Sequence, residues 1–115
     1  MILLLALMIA LAPDAQDRTA KFSVAYQACA QAAPTNFEHR DCLAAEYRRT
    51  SLSLDRAAEL SGVEPESQEL WLQSVLHDCG TEREMGGNAA DMRESACLIG
   101  LMRMRIEYLS VRGNW

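Results

Sequence analysis

The chain has 115 residues, half of them apolar, and 16 acidic against 11 basic side chains give a formal net charge of −5 at pH 7. That length holds one domain with a modest core and leaves no room for a second. The acidic balance argues against nucleic acid as a partner, because phosphates are met by a basic face, and mildly favours a cationic one.

Residues 2–12, ILLLALMIALA, are eleven uninterrupted apolar positions. This is the length of a signal-peptide core and is well short of the roughly 20 residues that cross a bilayer as a helix. Ala10-Leu11-Ala12 has the small-x-small form of a cleavage site, with Pro13 directly after it and a second position for the cut near Ala15. The expectation is an exported protein, periplasmic or secreted, with residues 1–15 as leader, residues 16–115 as a single helical domain, and no membrane span once the leader is removed.

The first helix is read from Asp17 to Ala33, where Phe22, Ala25, Tyr26, Cys29 and Ala33 recur at three and four. Pro34 closes it. Thr35-Asn36-Phe37-Glu38 has the form of a capping box and opens a second, long helix. Its apolar side is expected to hold Phe37, Cys42, Ala45, Tyr47, Leu52, Leu54, Ala58 and Leu60, and Gly62 ends it. Pro65 suits the first turn of a third helix, flanked by Glu64 and Glu66 at the positive end of the dipole. Leu70, Trp71, Val75, Leu76 and Cys79 form its expected buried side, with Trp71 as a core anchor. An irregular, polar, glycine-rich loop is predicted over GTEREMGGNAAD, residues 80–91, with Asn88 and Asp91 placed to cap the fourth helix. On that helix Met92, Ala96, Ile99, Met102, Ile106 and Leu109 mark the inner face, widened by Leu98, Leu101 and Tyr108. Gly113 ends it.

Four cysteines behind an export signal read as disulfides. Their gaps of 12, 36 and 17 residues contain no Cys-x-x-Cys pair of the kind zinc uses. Of the three connectivities, Cys29–Cys42 and Cys79–Cys97 bring each pair level across antiparallel helices. The predicted fold is therefore all-α, about four helices in two hairpins, each stapled by a disulfide.

The spacing Gln68-x-x-Trp71, Cys79, Gly86-Gly87-Asn88, Cys97, Arg105 and Leu109, with Cys29 and Cys42 upstream, resembles the LprI-like lysozyme-inhibitor family of small exported helical domains. The resemblance covers about Ala25 to Leu109. Val75 and Met102 stand where that family carries an arginine and a threonine. Membership would imply a protein partner, with a cationic lysozyme as the candidate, and no catalysis.

The residues themselves offer little for an enzyme. His77 and Asp78 adjoin Cys79, but neighbouring side chains on a helix diverge, so they are read as a surface pair and His39 as an exposed helix histidine. Thioethers of Met85, Met92, Met102 and Met104 would suit Cu(I), yet at helical spacing they are read as core fillers. Arg48, Arg49, Arg103 and Arg105 are read as solvated or as ion-pair partners. No catalytic residue, metal or cofactor is expected. The candidate contact surface is the loop from Gly80 to Asn88, with Glu82, Glu84, Gly86, Gly87 and Asn88, held at both ends if Cys79 and Cys97 pair. A cell-envelope structural or accessory protein with no inhibitory activity is the other class the sequence allows.

Overall fold

A computed structural model describes residues 22–113; the expected leader, residues 1–15, the expected cleavage positions and the stretch from Asp17 to Lys21 assigned to the first helix lie outside the described residues. Local chemistry sets each helix boundary. α1, Val24–Ala32, starts where the Ser23 hydroxyl accepts from the Tyr26 amide at 3.1 Å, and it stops before Pro34 with Ala33 in the extended region that a residue preceding proline favours. α2, Asn36–Ser61, is capped by Thr35, whose Oγ1 accepts from the Glu38 amide at 3.3 Å. It ends on Gly62 at φ +72°, the left-handed position that a residue without Cβ takes at least cost. α3, Pro65–Glu84, begins with proline in its first turn, and α4 runs Ala90–Gly113.

The helices form two hairpins, α1–α2 and α3–α4, each linked by a disulfide: Cys29–Cys42 with 5.8 Å between Cα atoms and Cys79–Cys97 with 5.6 Å. Both predicted pairs are present. α4 is the central element, since α2 and α3 both pack along it while α1 lies on α2. The principal core joins Leu54 and Ala57 of α2, Val75 and Cys79 of α3, and Leu98, Met102 and Leu109 of α4. Ile99 is fully buried as well.

Four expectations need correction. The polar stretch after Cys79 is not a loop from Gly80 onward, because α3 continues through Thr81, Glu82, Arg83 and Glu84. One glycine costs a helix only about 1 kcal/mol relative to alanine. That cost is offset here by the buried Cys79 beneath it and by Glu82 meeting Arg93 across the hairpin. On α2, Phe37 is 73% exposed, and Leu52 and Leu60 are exposed too. The buried face runs instead through Cys42, Leu43, Glu46, Thr50, Leu54 and Ala57, a helical spacing interrupted by two polar residues that a hydrophobic pattern skips. On α3, Leu70 and Leu76 are exposed and Trp71 is half-buried at the edge of the core. Finally, Met102 is core and Met92 half-buried, but Met85 and Met104 face solvent, and Tyr108 is exposed rather than part of the inner face. No helix among the described residues is long and apolar enough to cross a membrane.

Candidate functional site

Five residues, 85–89, connect α3 to α4. Gly86 and Gly87 adopt φ of +75° and +96°, values that L side chains rarely take, so the reversal requires both glycines. Two arginines fasten this turn. The Arg93 Nη2 donates to the Gly86 carbonyl at 2.5 Å and to the Glu82 carbonyl at 3.3 Å, while its Nε lies 3.5 Å from the Glu82 carboxylate. From α2, Arg40 donates through Nε to Asp91 Oδ2 at 2.7 Å and through Nη2 to Asp91 Oδ1 at 3.3 Å, a two-point fork, and the same Nη2 reaches the Asn88 carbonyl at 2.9 Å. The hydrogen bond from Arg40 holds the Asp91 carboxyl below its usual range against partial desolvation, and Arg40's charge and the amides of Met92 and Asp91 add to the effect. The same bond raises Arg40. Asp91 thus sits in the first turn of α4, where a carboxylate also meets the positive end of the helix dipole.

Of the predicted contact residues, Glu82, Glu84, Gly86, Gly87 and Asn88 are all brought to this one end of the molecule, but their roles differ. Glu82 is occupied by Arg93. Asn88 contributes its carbonyl to Arg40. Glu84, the last residue of α3, is exposed and has no ion-pair partner among the described residues, and Met85 beside it is 76% exposed. Arg83 lies 3.7 Å from Glu94, so charges of both signs alternate around the turn.

The remaining candidates lie elsewhere. His77 and Asp78 form a surface pair at 3.6 Å, and both are well exposed. The His39 Nε2 lies 3.0 Å from the carbonyl of Ala33, so this half-buried histidine bridges the α1–α2 connection instead of standing free. Arg49 and Arg103 are ion-pair partners, both of Glu46. Arg105 lies over the ring of Trp71.

No protein-family model, curated protein or solved structure matches this chain. Fold and site therefore rest on the chain's own residues. Val75 and Met102, the two apolar departures from the spacing pattern, are both buried in the core, where an arginine or a threonine would need a polar partner.

Glu46 is the residue that sequence reasoning missed most clearly. It is only 1% exposed, and its carboxylate accepts from the Ser23 amide at 2.5 Å, the Ser23 hydroxyl at 2.7 Å and Arg49 Nε at 3.0 Å, with Arg103 Nη1 at 3.9 Å. Burial pushes this carboxyl up, but the two Ser23 bonds and Arg49 together outweigh it, and the net shift is downward. Glu46 so pins the N-terminus of α1 to α2 and α4, opposite in the hairpin to the Cys29–Cys42 bridge. The only signal in the sequence is that Glu46 falls four residues after Cys42 and four before Thr50, on the face of α2 that turns inward. Among the described residues an open groove of about 490 Å³ also runs along α4, over Ala96, Gly100 and Leu101, lined in addition by Phe22 and Met104 and by the Glu82–Arg93 pair.

Proposed function

We propose that this chain is an exported, disulfide-stapled binding protein that acts without catalysis, that it engages a partner protein through the α3–α4 turn, and that the partner is a cationic lysozyme. Export rests on the apolar run at residues 2–12, and the choice of target rests on the resemblance of the cysteine and tryptophan spacing to lysozyme inhibitors. The observation that supports docking through the turn is its immobilisation: Arg93 ties it from within, Arg40 ties it from α2, and the Cys79–Cys97 bridge lies just beneath. A surface already ordered loses little conformational freedom on binding. Glu84 is the carboxylate left for a basic enzyme, since Glu82 is engaged, and Met85 adds apolar contact beside it.

The test is a titration of the oxidised protein lacking residues 1–15 into a c-type lysozyme acting on peptidoglycan, with a reduced and alkylated sample as control. Inhibition at near-stoichiometric ratios by the oxidised form alone, weakened by Glu84→Gln and by added salt, is the expected result. No inhibition at large excess removes lysozyme as the target. The alternation of Glu82, Glu84, Asp91 and Glu94 with Arg40, Arg83 and Arg93 favours a second reading, because it leaves the turn close to neutral. An accessory protein of the cell envelope would use the same rigid turn without inhibiting an enzyme, and its binding would be insensitive to salt.

A further inference from the structure

The opposite end of α4 carries a grouping that the turn does not use. The Arg105 guanidinium lies 5.3 Å from the ring centre of Trp71 and 5.3 Å from that of Tyr108, and its Nε donates to Gln68 Oε1 at 3.2 Å. Two turns beyond Arg105, Arg112 Nη1 donates to the Tyr108 hydroxyl at 3.0 Å. In this acidic chain Arg40, Arg49, Arg83, Arg93 and Arg103 each lie within 4.0 Å of a carboxylate, whereas Arg48, Arg56, Arg105 and Arg112 meet none among the described residues, and of these four Arg105 and Arg112 are the two held by aromatic side chains. Two aromatic faces orient Arg105, and with Nε committed to Gln68 its two terminal nitrogens form a free edge. A planar, oriented fork of this kind matches an oxyanion at two points.

The surface next to these arginines is apolar. Met104, Tyr108 and Val111 are exposed at i, i+4 and i+7 on one side of α4. Followed toward the N-terminus, that stripe enters the groove floored by Ala96 and Gly100, where the small side chains leave room for an incoming one beside Phe22. A free anion would use the arginines and leave the stripe and groove bare. A chain bearing both an acid and an apolar side chain would use all three.

We propose that this face of α4 binds an extended acidic segment of a partner protein, with a carboxylate on Arg105 and Arg112 and an apolar side chain in the groove over Gly100. Gly100 and Tyr108 are eight helical residues apart, about 12 Å at 1.5 Å per residue. An extended peptide rises about 3.3 Å per residue, so the acid and the apolar anchor fall about four residues apart. The groove reaches the Glu82–Arg93 pair that fastens the α3–α4 turn, but Arg105 and Arg112 lie toward the other end of α4, so their substitution tests this site without touching the turn.

The probe is a peptide blocked at both ends, with one phenylalanine and one aspartate four positions apart in a glycine–serine background, made in both orders. It is titrated into the isotope-labelled protein and followed by amide chemical shifts. Saturable shifts confined to Arg105, Tyr108, Arg112 and the groove are expected for one order. Replacing the aspartate by asparagine, or combining Arg105→Gln with Arg112→Gln, weakens binding at least tenfold, and Arg112→Gln alone, at an exposed position near the end of α4, weakens it severalfold. Moving the two anchors to two positions apart also weakens it severalfold. The double variant Arg48→Gln, Arg56→Gln, on an exposed part of α2, leaves binding unchanged. Absence of saturable shifts at millimolar peptide for both orders overturns the proposal. Equal affinity for the asparagine peptide, or tighter binding of inorganic phosphate or an oligogalacturonate, overturns it in favour of an apolar, free-anion or glycan site.

Discussion

Replacing Glu46 by glutamine tests the link between the buried carboxylate and the seating of α1. The substitution keeps the volume, removes the charge and turns one acceptor oxygen into a donor. Oε2 receives the Ser23 amide, which cannot rotate, while Oε1 receives the Ser23 hydroxyl and Arg49 Nε. Whichever way the amide lies, at least one donor faces a donor. Hydrogen bonds to charged groups contribute about 1.5–3 kcal/mol each. The Arg49 side chain is 45% exposed, so its share is screened. A loss of about 2–3 kcal/mol at neutral pH is expected, dominated by Ser23, and for a domain of this size that lowers Tm by roughly 10–20 °C. The sign with pH follows from the depressed folded pKa. The stabilisation is complete above the unfolded carboxylate value and is lost as pH falls through the lower folded value, so the gap between wild type and Glu46→Gln closes in acid. Urea unfolding followed by far-UV circular dichroism, at neutral pH and in steps down to about pH 2, measures both effects. A Ser23→Ala arm completes a double-mutant cycle, in which the coupling is expected to account for most of the loss. A difference at neutral pH below about 0.5 kcal/mol, or one that stays constant into acid, would refute the reasoning.

Removal of the Cys29–Cys42 bridge by alanine at both positions loosens α1, which buries none of its residues and is then held mainly by the Ser23–Glu46 bonds at its N-terminus. Amide exchange is expected to rise throughout α1 while α2, α3 and α4 keep their protection. Ile99→Ala, at a fully buried position, costs about 3–4 kcal/mol in chemical denaturation, whereas Phe37→Ala, at a position 73% exposed, stays within about 0.5 kcal/mol. Gly80→Ala and Gly86→Ala separate a helical glycine from a turn glycine. The first has open space for a Cβ and is expected to stabilise by about 0.5–1 kcal/mol. The second, at φ +75°, is expected to destabilise by about 1–2 kcal/mol. Equal effects of the two would return Gly80 to an irregular loop.

Much of this architecture follows from short-range chemistry. Ser23, Thr35, Gly62 and Pro65 act within a turn of where they stand, so the helix count and most boundaries could be read along the chain. The cysteine pairing was legible too, because each pair flanks one hairpin at distances that helical rise brings level. At the candidate site the positive-φ glycines were visible for the same reason. The length of α3 was not, since the polar residues after Cys79 look like a loop until Arg93, eleven residues beyond Glu82, supplies their partner.

By itself the sequence determined an all-α chain with two stapled hairpins and a glycine turn between α3 and α4. Only the tertiary structure decided which side of α2 is buried, because two of its inward residues are a glutamate and a threonine, whose cost of burial depends on partners elsewhere in the chain. Glu46 finds Ser23 across 23 positions, Arg40 finds Asp91 across 51 and Arg105 finds Gln68 across 37. Such pairings carry no local signature. Whether a charged side chain latches a turn, fills a core or is left free for a ligand is set by which helices α4 draws together.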